Sequence, residues 1–225
     1  MTTISRMLES LYKRPYVRSA AKVFIPRQYR PRIGDRFRRD GEVQWCRVVM
    51  NREVESFIRS LDCNNIDALE ISGTGSQGRY KFRSYQTASF PEYDICKEPL
   101  ALEKFDLVIA EQVFEHILRP DLAAANVLRM LRPGGAFVVT TPFMLKVHGH
   151  PSDLYRWTEH GMQQLLETAG FNVIRTGSWG NRECVVADLT PGMGWTSYDP
   201  ALHSLENEPQ FAIVVWAFAE KQKAR

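Results

Sequence analysis

Between Ala68 and Tyr80 the sequence reads ALEISGTGSQGRY, and Gly73, Gly75 and Gly78 fall there in a G-x-G-x-x-G pattern. Glycines so spaced after a strand let the backbone approach a bound nucleotide closely, because a Cβ would collide with it. The pattern suits a nicotinamide or flavin cofactor, or another adenine-bearing one held in the same kind of crevice, and by itself names none. Two local features weigh against a dinucleotide. Glu70 interrupts the strand just before the first glycine, where a pyrophosphate would be repelled. The following SQGRYKFRSYQ leaves little room for the helix whose N-terminus would receive that pyrophosphate. A carboxylate at this place suits a cofactor with a cationic end.

Two further stretches carry chemically capable residues. FDLVIAEQVFEH ends an apolar run with Glu111, Gln112, Glu115 and His116, and KVHGHPSD places His148 and His150 after another. An unperturbed histidine titrates near ~6.5, so either imidazole can be neutral at cellular pH and take a proton from a hydroxyl. Pro151 restricts the backbone of His150 to extended conformations, which fixes its direction and ranks it narrowly above His148 as the candidate base. Asp153 is placed to orient one of them or to pair with Arg156.

The elements that must position these residues alternate between strand and helix. Apolar residues from Val43 to Leu61 recur at helical spacing, DALEIS and SYQTAS read as strands, and EYDIC as a short third. FDLVIAEQ is a strongly apolar strand, Asp121 to Leu131 an Asp-capped helix, and GGAFVVTTPF a strand entered through a Pro-Gly-Gly turn. Thr158 caps a helix that Gly170 ends; FNVIRTGSW and FAIVVWAFA complete the strands. Such alternation predicts an α/β fold with a parallel sheet. Residues 180–210 form a Gly- and Pro-containing insert long enough to be a lid or substrate wall, in which Trp195 and Tyr198 could stack on a sugar or other planar substrate.

With 44% hydrophobic and 24% charged residues in 225, the composition is that of one globular domain. Four scattered cysteines with no C-x-x-C pair indicate neither a zinc ribbon nor a disulfide scaffold. No apolar run approaches the ~20 residues of a membrane span, and charges stand where a signal peptide would carry its apolar core, so a cytoplasmic protein is expected. The net charge of +3 divides unevenly, with +8 on residues 1–48 and −5 on the rest. Residues 1–42 are therefore read as a basic N-terminal extension to a domain at 43–225. Without a recognisable nucleic-acid module, contact with a membrane surface or a substrate is expected of it, not RNA.

Four stretches, LEISGTGS, FDLVIAEQVFEHI, LRPGGAFVVTTP and HPSDLYRWTEHGMQQLLETAGF, span nearly half the chain from Leu69 to Phe171. In that order the chain resembles the class I S-adenosylmethionine-dependent methyltransferases. The resemblance implies a Rossmann-like, mostly parallel seven-stranded sheet with helices on both faces and an antiparallel last strand. It implies S-adenosyl-L-methionine as cofactor, with Glu70, Ser72, Gly73 and Gly75 at its methionine end and Glu111 and Gln112 nearby. Two positions depart from the pattern: Ser72 stands where the backbone approaches most easily, and Ser89 replaces the acid that holds the ribose hydroxyls. Glu92 or Asp94 is expected to supply that carboxylate. EQVFEH is also similar to an arrangement that, joined by a histidine from a later loop, holds a divalent metal in methyltransferases acting on small-RNA 2′-hydroxyls; the resemblance would make His148 or His150 that later ligand. Here Gln112 replaces the first glutamate, and an amide is a poorer ligand for a hard cation than a carboxylate, so no metal is expected and Glu115 and His116 are read as structural.

The resemblance points to O-methylation of a small molecule or lipid-linked sugar, with His150 or His148 as base. Because of Ser72 and Ser89, a non-catalytic scaffold with the same fold is the alternative. A nicotinamide oxidoreductase rests on the glycine spacing alone.

Overall fold

The structure, a computed structural model, describes residues 43–149, 152–190 and 195–223. The basic extension and its expected contacts, and His150, lie outside them.

The chain enters through a 3₁₀ turn at Trp45–Arg47 and helix α1, Val48–Ser60. Strands β1, Asp67–Ile71, and β2, Ser84–Ala88, are joined by the glycine loop, which forms turns and no helix. Strand β3 is Phe105–Glu111, helix α2 Pro120–Met130 and strand β4 Leu131–Pro142. Helix α3, Glu159–Thr168, strand β5, Asn172–Trp179, helix α4, Arg182–Leu189, and strand β6, Val214–Glu220, complete the domain. The sheet order is β2-β1-β3-β4-β6-β5, and β6 runs antiparallel to both its neighbours. The order reverses direction between β1 and β3, so the carboxyl ends of β1 to β4 meet at one edge, where open α/β sheets bind ligands.

Alternation along the central strands builds a separate core on each face. Leu69, Val108, Phe137, Val139 and Ala217 point toward α2 and α3, whose Ala123, Val127, Met162 and Leu166 are fully buried against them. Ala68, Leu107, Ile109, Val138 and Phe218 point the other way, against Met50, Val54 and Ile58 of α1 and Cys184 of α4. Burying both faces is what makes these strands apolar at nearly every position.

Among the described residues the sheet has six strands, not the expected seven. EYDIC is a pair of turns, because Pro91 lacks a donor and Asp94 Oδ1 takes the amide of Cys96 at 3.0 Å. Asn126 Nδ2 on α2 then donates to Ile95 O at 2.8 Å, a bond a neighbouring strand would otherwise make. Asp121 does not cap α2 either. Pro120 occupies the first turn and Asp121 pairs with Arg119 at 2.7 Å instead. Thr158 does cap α3, accepting from Gly161 N at 3.1 Å, and Gly170 ends it at φ 100°. The last strand begins at Val214, after a 3₁₀ turn at Pro209–Phe211.

At the opposite edge, Asp67 and Asp106 lie between Arg83 and Arg132, with contacts of 2.6 to 3.2 Å. Hydrogen bonds from Arg83 hold the Asp67 carboxyl well below its ordinary value. Its contribution to stability is full above the unfolded-state value of about 4 and is lost as pH falls toward the lower folded one. Urea melts at descending pH should show Asp67→Asn losing less stability than the parent below pH ~4; parallel losses would remove Asp67 from the acid response.

Candidate functional site

At the carboxyl edge the loop after β1 folds around its own acid. Glu70 is 3% exposed. Its Oε1 accepts Gly75 N at 2.8 Å, and its Oε2 accepts Ser76 N at 2.9 Å and Tyr85 Oη at 2.7 Å. Burial and the Glu70 charge keep the Tyr85 phenol protonated and thus a donor. Gly73 must lack a side chain because a Cβ there would stand 2.5 Å from Glu70 Oε1; at Gly75 the distance would be 3.5 Å, ordinary contact. The first glycine makes room for the protein's own carboxylate, and the carboxylate sets the loop.

Ser72 and Gln112 both have φ 56°, a left-handed conformation that non-glycine residues rarely adopt. Ser72 N donates to Ala88 O at 2.9 Å, and Gln112 N donates to Thr140 O at 2.9 Å, so each turn is fixed by the next strand. The strand-to-loop corners beside β1 and β3 therefore carry strain at the ligand edge. Ser72→Gly should relieve about 1–2 kcal/mol of it, offset by about 0.5–1 kcal/mol of added freedom in the unfolded chain, for a net gain of up to about 1 kcal/mol. A thermal melt checks the sign, and a loss of stability would show that Ser72 makes a compensating contact.

Glu111 ends β3 beside this loop. Burial and the nearby Glu70 charge raise its carboxyl above the ordinary value. Two crowded acids at a ligand-binding edge favour an incoming cation and disfavour a phosphate. That chemistry fits the ammonium and sulfonium of S-adenosylmethionine. Of the two acids proposed for the ribose, Asp94 is engaged by the Cys96 amide in its own turn, and Glu92 is exposed to solvent. Tyr85, which sequence reading passed over, lies on β2 in register with Ala68, and the polar alternation of SYQTA was its signal.

The second constellation follows β3 and β4. Phe114–His116 is a 3₁₀ turn that buries Glu115 completely. Leu154 N and Tyr155 N donate to the Glu115 carbonyl at 2.8 and 3.2 Å, tying this turn to the loop before α3. Burial pushes the Glu115 carboxyl up to about 7. His116 Nε2 lies 3.5 Å and His148 Nε2 3.9 Å from Glu115 Oε1. Burial lowers the His148 pKa, favouring neutral imidazole. Asp153 accepts the amide of His148 at 2.8 Å and is bound by Arg156, so it fixes this loop. From the insert, Trp195 sets its ring edge-on to His148 at 5.6 Å, and Lys146 Nζ lies 4.6 Å over that indole. The insert is anchored behind by Trp45 N to Thr196 O at 2.8 Å and Trp179 Nε1 to Leu205 O at 3.0 Å.

Residues 55–139, which contain the glycine loop and both β1 and β3, match the family model described as a methyltransferase domain. Over this segment the chain is similar to the class I S-adenosylmethionine-dependent methyltransferases. S-adenosylmethionine is the cofactor of that family. A curated relative from Mycolicibacterium smegmatis, described as a probable S-adenosylmethionine-dependent methyltransferase, is 32% identical over 97 residues, covering 38% of this chain and 38% of the relative. The chain thus matches well under half of that relative's length. Among solved structures, the [4+2]-cyclase SpnF aligns at TM-score 0.54 and 16% identity over 83% of this chain and 85% of that one. Phosphoethanolamine N-methyltransferase 2 of Haemonchus contortus aligns at TM-score 0.51 and 15% identity over 77% of this chain and 53% of that one. Both share the fold. Among the described residues, no helix is long and apolar enough to cross a membrane.

Proposed function

We propose that the chain methylates a hydroxyl of a small molecule or lipid-linked sugar. The observation that carries the reading is the pairing of buried Glu70, bound by two loop amides, with the destabilised carboxyl of Glu111 at the carboxyl edge of the sheet. S-adenosylmethionine supplies an electrophilic methyl group on a sulfonium. The chain's own part is to hold that cationic end between the β1 and β3 loops and to bring the acceptor oxygen in line with the methyl carbon, where alignment alone supplies much of the rate. Methylation of a hydroxyl would also require its proton to leave. The Glu115, His116 and His148 cluster stands on the next loops along the edge to assist that loss, and the Trp195 face offers a wall for a sugar or other planar acceptor.

The strained Ser72 and the exposed Ser89 support a second reading, a fold that binds the cofactor without turnover. Calorimetry with S-adenosylmethionine and its demethylated product, followed by mass-spectrometric assay against hydroxylated glycans and small phenols, separates the two. Binding to both with methyl transfer to a hydroxyl is the expected result; binding without transfer to any acceptor favours the second reading, and no binding at millimolar cofactor sinks both.

A further inference from the structure

The cluster after β3 and β4 has a feature that methyl transfer does not require. Glu115 is fully buried, and among the described residues neither oxygen of its carboxylate has a hydrogen-bond partner. A buried carboxylate left so is costly, and such groups are normally paired or bound to a metal. Among the described residues, two imidazole nitrogens lie within 4 Å of it. His116 Nδ1 lies 2.5 Å from the Ser152 carbonyl and His148 Nδ1 3.2 Å from the Lys146 carbonyl. A carbonyl can only accept, so each Nδ1 carries the proton and each Nε2 of a neutral ring presents its lone pair to Glu115. With both rings neutral, two lone pairs and an ionised carboxylate that lacks a hydrogen-bond partner would repel one another, and a shared cation resolves this.

The geometry points to a divalent metal site formed by Glu115, His116 and His148, of a mixed nitrogen and oxygen character suited to a first-row transition ion such as Zn²⁺. Among the described residues, the ligand atoms of these three lie within 4.8 Å of one another. The two distances to Glu115 Oε1, 3.5 and 3.9 Å, are close to the ~3.4 Å edge of a tetrahedron with bonds of about 2.1 Å. Each histidine already has the outer hydrogen bond to a carbonyl that orients metal-bound imidazoles. Two imidazoles favour a transition ion over Mg²⁺ or Ca²⁺. Three protein ligands leave a position for water or an acceptor oxygen. The Gln112 amide nitrogen donates to Thr140 Oγ1 at 3.2 Å. Arg156, on the same loop, is paired with Asp153. The inference stands apart from methyl transfer. If both hold, the His148 Nε2 lone pair is committed to the ion, and the open position is where an acceptor hydroxyl would lose its proton more readily.

The test uses the full chain stripped by chelator and dialysed. Titration with Zn²⁺ alone should show about one ion per chain and raise the melting temperature, and Co²⁺ should give visible absorption bands of a low-symmetry site. Glu115→Gln, which keeps the shape, and His148→Ala should each weaken Zn²⁺ binding by on the order of 100-fold or more. Glu115→Gln should also raise the melting temperature of the stripped protein, because it removes the uncompensated buried charge. Binding of the demethylated cofactor is measured in the same samples. Stoichiometric Zn²⁺ uptake lost in both variants supports the site. Failure of the stripped parent to bind Zn²⁺ and Co²⁺, or equal binding by both variants, overturns it whether or not the cofactor binds; cofactor binding that fails while Zn²⁺ binds sinks the methyltransferase reading alone.

Discussion

Replacing Gly73 by valine is expected to weaken S-adenosylmethionine binding by about 10²–10⁴-fold in a protein that remains folded. A Cβ at this position meets Glu70 Oε1 at 2.5 Å, so the carboxylate must leave the place where it accepts Gly75 N, Ser76 N and Tyr85 Oη. Hydrogen bonds to a charged group contribute roughly 1.5–3 kcal/mol each, and losing two of the three gives the stated range. The loss falls on the loop and not on the sheet, since Gly73 lies beyond the last residue of β1 and its φ is not in the left-handed region. Gly75→Ala is the contrast. Its Cβ would sit at 3.5 Å from the same oxygen, within ordinary contact, and the effect on affinity should be under tenfold, about 1.4 kcal/mol. Calorimetry with circular dichroism as the fold control reads both variants, and a folded Gly73→Val protein of unchanged affinity would detach the glycine loop from the cofactor.

The strands were legible where burial on both faces left a continuous apolar signal, as in FDLVIAEQ, and where local caps agreed with the periodicity, as at Thr158 and Gly170. EYDIC misled because Tyr93 and Ile95 are indeed packed inward, which mimics a strand, while Pro91 and the Asp94 turn decide the backbone. Asp121 misled because proline in the first turn and an adjacent arginine compete for the role of cap. At the site, the types of residue could be read but not their use. Glu70 was recognisable as an acid before a glycine loop, yet that it spends its oxygens on the loop amides depends on the missing Cβ of Gly73, which only coordinates reveal. Glu115 looked structural from sequence. Its neighbour His148 arrives from the loop after β4, a proximity that no local pattern encodes.

His148→Ala is expected to lower turnover by about 10²–10⁴-fold while leaving the S-adenosylmethionine Kd within twofold, a barrier increase of roughly 3–5 kcal/mol. The separation of effects follows from position. His148 belongs to the loop after β4, held by Asp153 and edged by Trp195, whereas the cofactor loop is held by Glu70 on β1. The atom that matters is Nε2, because Nδ1 faces the Lys146 carbonyl; whether Nε2 takes the acceptor proton itself or holds an ion that favours its loss, alanine deletes it. Trp195→Ala should by contrast act mainly on the acceptor KM, since an indole wall aligns a substrate without exchanging protons. His150→Ala, one residue beyond the described loop, tests the other histidine. Measured kcat, acceptor KM and cofactor Kd for the three variants and for the double histidine variant decide among these roles. Full turnover in both single histidine variants and in the double would remove histidine from the reaction and leave alignment of an already acidic acceptor, or of an amine, as the source of rate.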